Sequence, residues 1–246
     1  MQKYSFIFIS VLFISLQSCA QSWNLKDVKN TVEGAVNTVS GNGGSLSNDD
    51  IIKGLKEALN VGTTNSTGRA SKFDGFYKNN LIKIPFPPEA AQVKSTVENL
   101  GMKPQVDKFV MTLNRAAEEA SKEAKPIFVN AITSMSIQDG MTILKGNNDA
   151  ATQYLKGKTQ AQLNAAFSPI VKKAIAKVEL TKHWKPIVTQ YNKVPFVQKV
   201  NPDLEKYVTD KALEGLFKLV AEEETKIRKD PAARVSEILR KVFGGQ

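Results

Sequence analysis

Cysteine and histidine are nearly absent from this chain: among 246 residues there is one of each, Cys19 and His183. A lone cysteine forms no intrachain disulfide, so folding rests on an apolar core. A lone histidine leaves Ser-His and Cys-His arrangements almost nothing to draw on as general base. After the first 18 residues there is no G-x-S-x-G elbow and no S-x-x-K dyad. Aromatic residues are only 8% of the chain, and no apolar run reaches the about 20 residues that a membrane-spanning helix needs. Alternating strand patterns are missing too, so nothing competes with the helical periodicity that fills the sequence.

What is present begins with the leader. Lys3 is followed by an apolar core from Phe6 to Leu16, interrupted only by serines, and then by Leu16-Gln17-Ser18-Cys19. A charged start, a short apolar stretch and a small residue before a cleavage point are the layout of an export signal. The four residues ending in Cys19 resemble a bacterial lipobox, in which the cysteine is acylated and becomes the mature N-terminus. Residues 1–18 are then a lipoprotein signal peptide, and Cys19 is the expected lipidation site. Each buried methylene contributes about 0.8 kcal/mol, so two or three acyl chains hold a protein on a membrane. The alternative is an ordinary secretory signal cut near Ala20. The residues after Cys19, Ala20-Gln21-Ser22, carry no aspartate. By resemblance to lipoprotein sorting signals, this favours an outer-membrane lipid anchor facing the periplasm.

Residues 19–47 read as a lipidated N-terminus, a polar amphipathic stalk helix over 24–39 and a Gly/Ser-rich linker, Ser40-Gly41-Asn42-Gly43-Gly44-Ser45. Residues 48–246 read as one domain. Asn48 is the expected cap of a helix bearing Ile51, Ile52, Leu55 and Leu59 on one face. From Phe73 to Pro88 the prolines and aromatics predict an irregular loop packed on the domain. The spacing then predicts a helix from about Gln105 to Lys122, a second capped by Ser136 with Asp139, and a third beginning at Thr159 with Gln162. Asn201-Pro202 is expected to open a long helix to about Arg228. Asp230-Pro231 is expected to open the last, with Val235, Ile238, Leu239 and Val242 inward. The fold class is all-α: a single multi-helix domain of roughly eight to ten helices with one irregular Pro/aromatic loop.

Several stretches together carry a family resemblance: Gly54-Leu55-Lys56-Glu57-Ala58-Leu59, Asp74-Gly75-Phe76-Tyr77, Asn114-Arg115-Ala116-Ala117-Glu118, Ala150-Ala151-Thr152-Gln153-Tyr154, and Gly215-Leu216-Phe217 through Glu223-Glu224 to Asp230-Pro231. Over about residues 46–243 the chain resembles the bacterial family catalogued as domain of unknown function 4197, DUF4197. The resemblance implies an exported, often lipid-anchored helical protein and supplies no catalytic residue.

The remaining candidates come from the residues themselves. Asn114, Arg115 and Glu118 interrupt or flank an apolar, small-residue helix, and a buried polar network joining the Arg115–Glu118 pair to Arg228 or Arg234 is the expectation, more often structural than catalytic. Glu222, Glu223 and Glu224 point to different sides of a helix and read as a solvated face paired with Lys226 and Arg228. Glu179 and His183 would share a helical face, but helical metal centres usually take more than one histidine, so no metal and no cofactor is expected. Gly146-Asn147-Asn148-Asp149 reads as a helix stop and a cap, without the lysine of a phosphate loop.

Charge is unevenly placed. Residues 153–202 hold nine lysines and a single acid, Glu179, whereas basic and acidic residues nearly balance over 19–152 and balance over 203–246. Lys172, Lys173, Lys177, Lys182 and Lys185 are the candidate anion-binding set, interleaved with Tyr154, Phe167, Trp184, Tyr191 and Phe196. Behind an export signal, nucleic acid is not the expected partner. Anionic lipid, lipopolysaccharide or an envelope protein is, and the competing reading is a solvated face. The function expected is thus a membrane-tethered, non-catalytic binding or envelope-maintenance protein, with an enzyme built on the carboxylate and arginine residues as the alternative.

Overall fold

The computed structural model describes residues 47–177, 179–201 and 203–244, apart from the side chains of residues 179–181 and 183. Cys19 and the expected stalk over 24–39 lie outside the described residues. Leu46–Gln246 is a compact unit by itself, and the core is formed entirely within it. The helices are α1 (Asn48–Ser71), α2 (Ala91–Val97), α3 (Lys103–Ala120), α4 (Ala124–Thr133), α5 (Ile137–Lys145), α6 (Ala150–Ile175), α7 (Glu179–Tyr191), α8 (Leu204–Lys229) and α9 (Glu237–Gly244). No strand occurs among the described residues, and the fold is all-α. A 3-10 turn carries α3 into α4, while Gly101, with a positive φ of 78°, kinks the chain between α2 and α3; with these contiguous segments taken together, the described residues form seven helices, slightly below the expected eight to ten.

Three long helices set the frame. At 1.5 Å per residue, α6 and α8, with 26 residues each, run about 39 Å. α6 packs on α8 and α3; α1 packs on α8, α4 and α9. α1 starts at Ser47, one residue before the expected cap, because the Ser47 hydroxyl accepts the Asp50 N–H at 3.1 Å. Its second half, Thr63 to Thr67, is polar in sequence, yet Thr63, Ser66 and Thr67 are buried. Thr63, Ser66 and Thr67 each donate their hydroxyl to the carbonyl four residues back, which satisfies them inside the helix.

The capping box of α5 is as expected, with Ser136 and Asp139 satisfying each other's backbone N–H. Thr159 starts no helix. It lies buried in the middle of α6 and donates to the Leu155 carbonyl at 2.6 Å. Asp230 caps the 3-10 turn Pro231–Ala233, so α9 begins later than expected and Val235 points outward, 63% exposed, while Leu239, Val242 and Phe243 pack inward.

The loop between α1 and α2 packs down as expected, burying Phe76, Ile82, Ile84 and Phe86. Phe86 meets Phe109 of α3 and Trp184 of α7 with ring centroids 5.0–5.6 Å apart, so one aromatic cluster joins three parts of the chain. α8 approaches this loop at Gly215, where a Cβ would stand 2.8 Å from the Phe76 ring. Gly75 is tighter, because a Cβ there would collide with the backbone carbonyls of Arg69, Ala70 and Lys72, none of which can rotate away. Gly75→Ala is therefore expected to destabilise the protein by about 1–3 kcal/mol in urea denaturation. An unchanged midpoint would mean that the turn relaxes freely.

Candidate functional site

The polar residues of α3 hold a loop. Asn114 is fully buried; its Oδ1 accepts the Ile84 N–H at 2.8 Å, and its Nδ2 donates to the carbonyls of Ile84 and Val110, both at 2.8 Å. One turn on, Glu118 Oε1 accepts the backbone N–H groups of Phe76 and Tyr77 at 3.0 and 3.1 Å. Its other oxygen takes Arg115 at 2.5 Å, and Arg115 also holds Asp74. Arg115 covers the Phe73 ring at 3.7 Å from the centroid. Hydrogen bonds from Lys78 and Arg115 hold the Asp74 carboxyl below its ordinary pKa. Burial opposes the charge on Arg115, yet its bonds to Asp74 and Glu118 outweigh this and raise its pKa.

Arg228 belongs elsewhere, which corrects the expected network. It donates Nε to Glu224 at 3.0 Å and a terminal nitrogen to the Ile143 carbonyl, near the C-terminus of α5, at 2.9 Å. Glu224 in turn accepts from the N–H groups of Ala151 and Thr152 and from the Thr152 hydroxyl at 2.8–3.0 Å. The expected cap, Asp149, makes no side-chain capping bond; Glu224 serves instead, from another helix. The void beside Glu224 and Arg228 is about 20 Å³, room for one water molecule and no substrate.

The three glutamates of α8 diverge, as their spacing requires, but they are not a solvated face. Glu223 and Glu224 are buried. Glu223 takes Asn65 and Arg69 from α1 at 3.0 and 3.1 Å and Lys226 at 2.8 Å, while Glu222 pairs with Arg69 at 2.8 Å. Burial pushes the Glu223 carboxyl up, but hydrogen bonds from Lys226 and Asn65 and the nearby positive charges more than offset it, leaving its pKa below the ordinary value.

The lysine-rich segment is different. Lys172, Lys173, Lys177, Lys182 and Lys185 are all exposed. Lys172, Lys182 and Lys185 line one cleft of about 610 Å³ between the end of α6, α7 and the start of α8; Lys173 and Lys177 do not line it. Trp184 also lines it, stacked on Phe109, and its buried Nε1–H has no partner among the described residues. Two acids share the cleft, and both have local bonds: Asp203 accepts the Lys206 N–H at 2.9 Å, and Glu205 accepts the Ser168 hydroxyl at 2.5 Å. Of the interleaved aromatics, Phe167 and Trp184 are core, Tyr154 and Tyr191 are half-buried, and Phe196 is exposed. The side chains of Glu179 and His183 lie outside the described residues. Among those described, no group of three or more His, Cys, Asp or Glu could hold a metal, and no helix is long and apolar enough to cross a membrane. Sequence reasoning named Trp184 among the interleaved aromatics but missed the α8 start as part of the cleft, because it carries no local signal for it.

Comparison with known proteins adds one finding: the family described as "Protein of unknown function (DUF4197)" matches residues 45–244. No curated protein matches the chain, and no solved structure matches it.

Two outcomes follow from the buried polar groups. Asn114→Ala leaves the Ile84 N–H and carbonyl unpaired in the core, and is expected to cost about 2–4 kcal/mol in denaturation; a loss under about 1 kcal/mol would show that water replaces the amide. For Glu223 the folded pKa is depressed, so its contribution is present above the unfolded pKa and lost as pH falls through the folded one. Glu223→Gln is expected to lower the melting temperature at pH 7 and to narrow the gap between neutral and acidic melting temperatures. A gap equal to that of the parent would refute this.

Proposed function

The chain belongs to the DUF4197 family, and we propose that it is a non-catalytic binding protein of the bacterial envelope, anchored by an acylated Cys19 to the outer membrane, facing the periplasm, and taking an anionic lipid or lipopolysaccharide group in its lysine cleft. The observation that carries this reading is the meeting of Lys172, Lys182 and Lys185 on one cleft. A cleft of about 610 Å³ has the size of a small-ligand or headgroup site. Its lysines supply charge for a phosphate or carboxylate group.

The alternative enzyme would have to use Asn114, Arg115, Glu118 or Arg228. Their polar atoms are engaged with backbone groups and with each other, and the Glu224–Arg228 pair borders a void too small for a substrate. The cleft is therefore the better place to look for a ligand.

Sedimentation of residues 46–246 with vesicles tests the reading. Binding is expected to phosphatidylglycerol vesicles and not to phosphatidylcholine, weakening as salt rises. Lys172→Glu with Lys185→Glu is expected to lower it at least about tenfold, the effect of about 1.4 kcal/mol, without lowering the melting temperature. Equal binding by parent and variant would remove the cleft from consideration.

A further inference from the structure

The segment that follows α7 carries the most exposed large apolar side chain among the described residues. In Lys193-Val194-Pro195-Phe196-Val197-Gln198-Lys199, Val194 is 52% exposed and Phe196 is fully exposed, at 108% of its reference area. Phe196 also has a positive φ of 65°, the left-handed backbone that a bulky residue avoids and that glycine adopts freely. A phenylalanine here strains the backbone and returns nothing to the core.

The base of the loop is nevertheless fixed. The Asn192 side chain accepts the Val200 N–H at 2.9 Å and donates to the Val200 carbonyl at 2.8 Å, and Val200 itself is buried. The Lys193 and Val194 N–H groups bond back to Gln190 and Tyr191, and the Tyr191 hydroxyl reaches Gln92 at 3.1 Å. A closed, anchored base thus presents an apolar tip away from the domain.

The charge around the tip selects the surface it meets. Residues 180–202 contain four lysines, Lys182, Lys185, Lys193 and Lys199, and no acid. An exposed aromatic ring flanked by lysines matches a bilayer boundary, with the ring among the first acyl carbons and the ammonium groups at the phosphates. A protein partner for this composition would need an acidic rim around an apolar socket; an anionic bilayer offers both properties everywhere.

We propose that residues 193–199 form a membrane-insertion tip, with Phe196 and Val194 entering an anionic bilayer while Lys193 and Lys199 stay with its headgroups. This deepens the cleft reading and rests on its anionic surface, adding an apolar contact that salt does not screen.

The test uses residues 46–246, a compact unit without cysteine, carrying a polarity-sensitive dye on Gln198→Cys. On phosphatidylglycerol vesicles the dye is expected to shift to the blue and to be quenched by lipids with a shallow spin label. Phe196→Gly, whose backbone suits the positive φ, is expected to melt at the same or a higher temperature and yet to partition about tenfold less into vesicles. Binding of monomeric short-chain phosphatidylglycerol, which offers a headgroup but no bilayer, is expected to be unchanged by Phe196→Gly and lost with Lys172→Glu and Lys185→Glu. No quenching, or equal vesicle partition of Phe196→Gly and parent, overturns the insertion tip and leaves the cleft standing. Loss of the short-chain lipid from the parent, with quenching intact, overturns the cleft and keeps the tip. No binding of either lipid form overturns both.

Discussion

The carboxylate of Glu224 is the point on which the arrangement of the long helices turns. The first N–H groups of any helix have no partner within it, and at the start of α6 Ala151 and Thr152 are buried, where water cannot serve theirs. The Asp149 side chain does not reach these two. Glu224 reaches across from α8, takes two backbone N–H groups and a hydroxyl, and places negative charge at the positive end of α6. Its own charge is balanced by Arg228, which also takes a carbonyl near the negative end of α5. One ion pair therefore fixes the end of α5, the start of α6 and the register of α8. Removing either member would leave the other buried without compensation, the costly case for ion pairs.

α3 applies the same solution to a loop. Residues 72–87 form no regular helix; turns satisfy some of their backbone groups from within, and others take partners from outside the segment. Asn114 supplies an acceptor and a donor to Ile84, Glu118 accepts from Phe76 and Tyr77, and the Tyr207 hydroxyl of α8 reaches the Pro85 carbonyl at 3.2 Å. With its backbone satisfied, the loop can bring Phe76, Ile82, Ile84 and Phe86 into the core. Residues of the types that usually mark an active site here act as substitutes for missing secondary structure.

This explains what could be seen in advance. The Ser136–Asp139 box, the apolar stripe of α3 and the Pro/aromatic loop are set by neighbours within a few residues, and the chain spells them out. The polar half of α1 hides a buried face because Thr63, Ser66 and Thr67 satisfy themselves along the helix. Thr159 imitates a cap for the same reason: a hydroxyl that bonds back to Leu155 and one that caps a helix are spelled alike. The Glu224 cap spans 72 residues of sequence to Thr152, and no local pattern announces it. Likewise the lysines were legible as a charge run, but the cleft needs the start of α8, which no run of lysines predicts.

The acids explain why the lysines stand out. Along α3 and α8, Glu118, Glu223 and Glu224 are drawn inside to meet N–H groups and cations, and even in the cleft Asp203 and Glu205 have local bonds, to the start of α8 and to Ser168. Everywhere else in the domain charge is nearly balanced, and each buried acid has a structural use. The segment 153–202 is the exception, with nine lysines against one acid. Like charges near one another repel and work against compactness, and the buried faces of α6 and α7 rest on Phe167, Val171, Trp184 and Val188, which need no ammonium group beside them. A charge that the core does not require, three of whose lysines line one cleft, is a feature that an anionic ligand would explain.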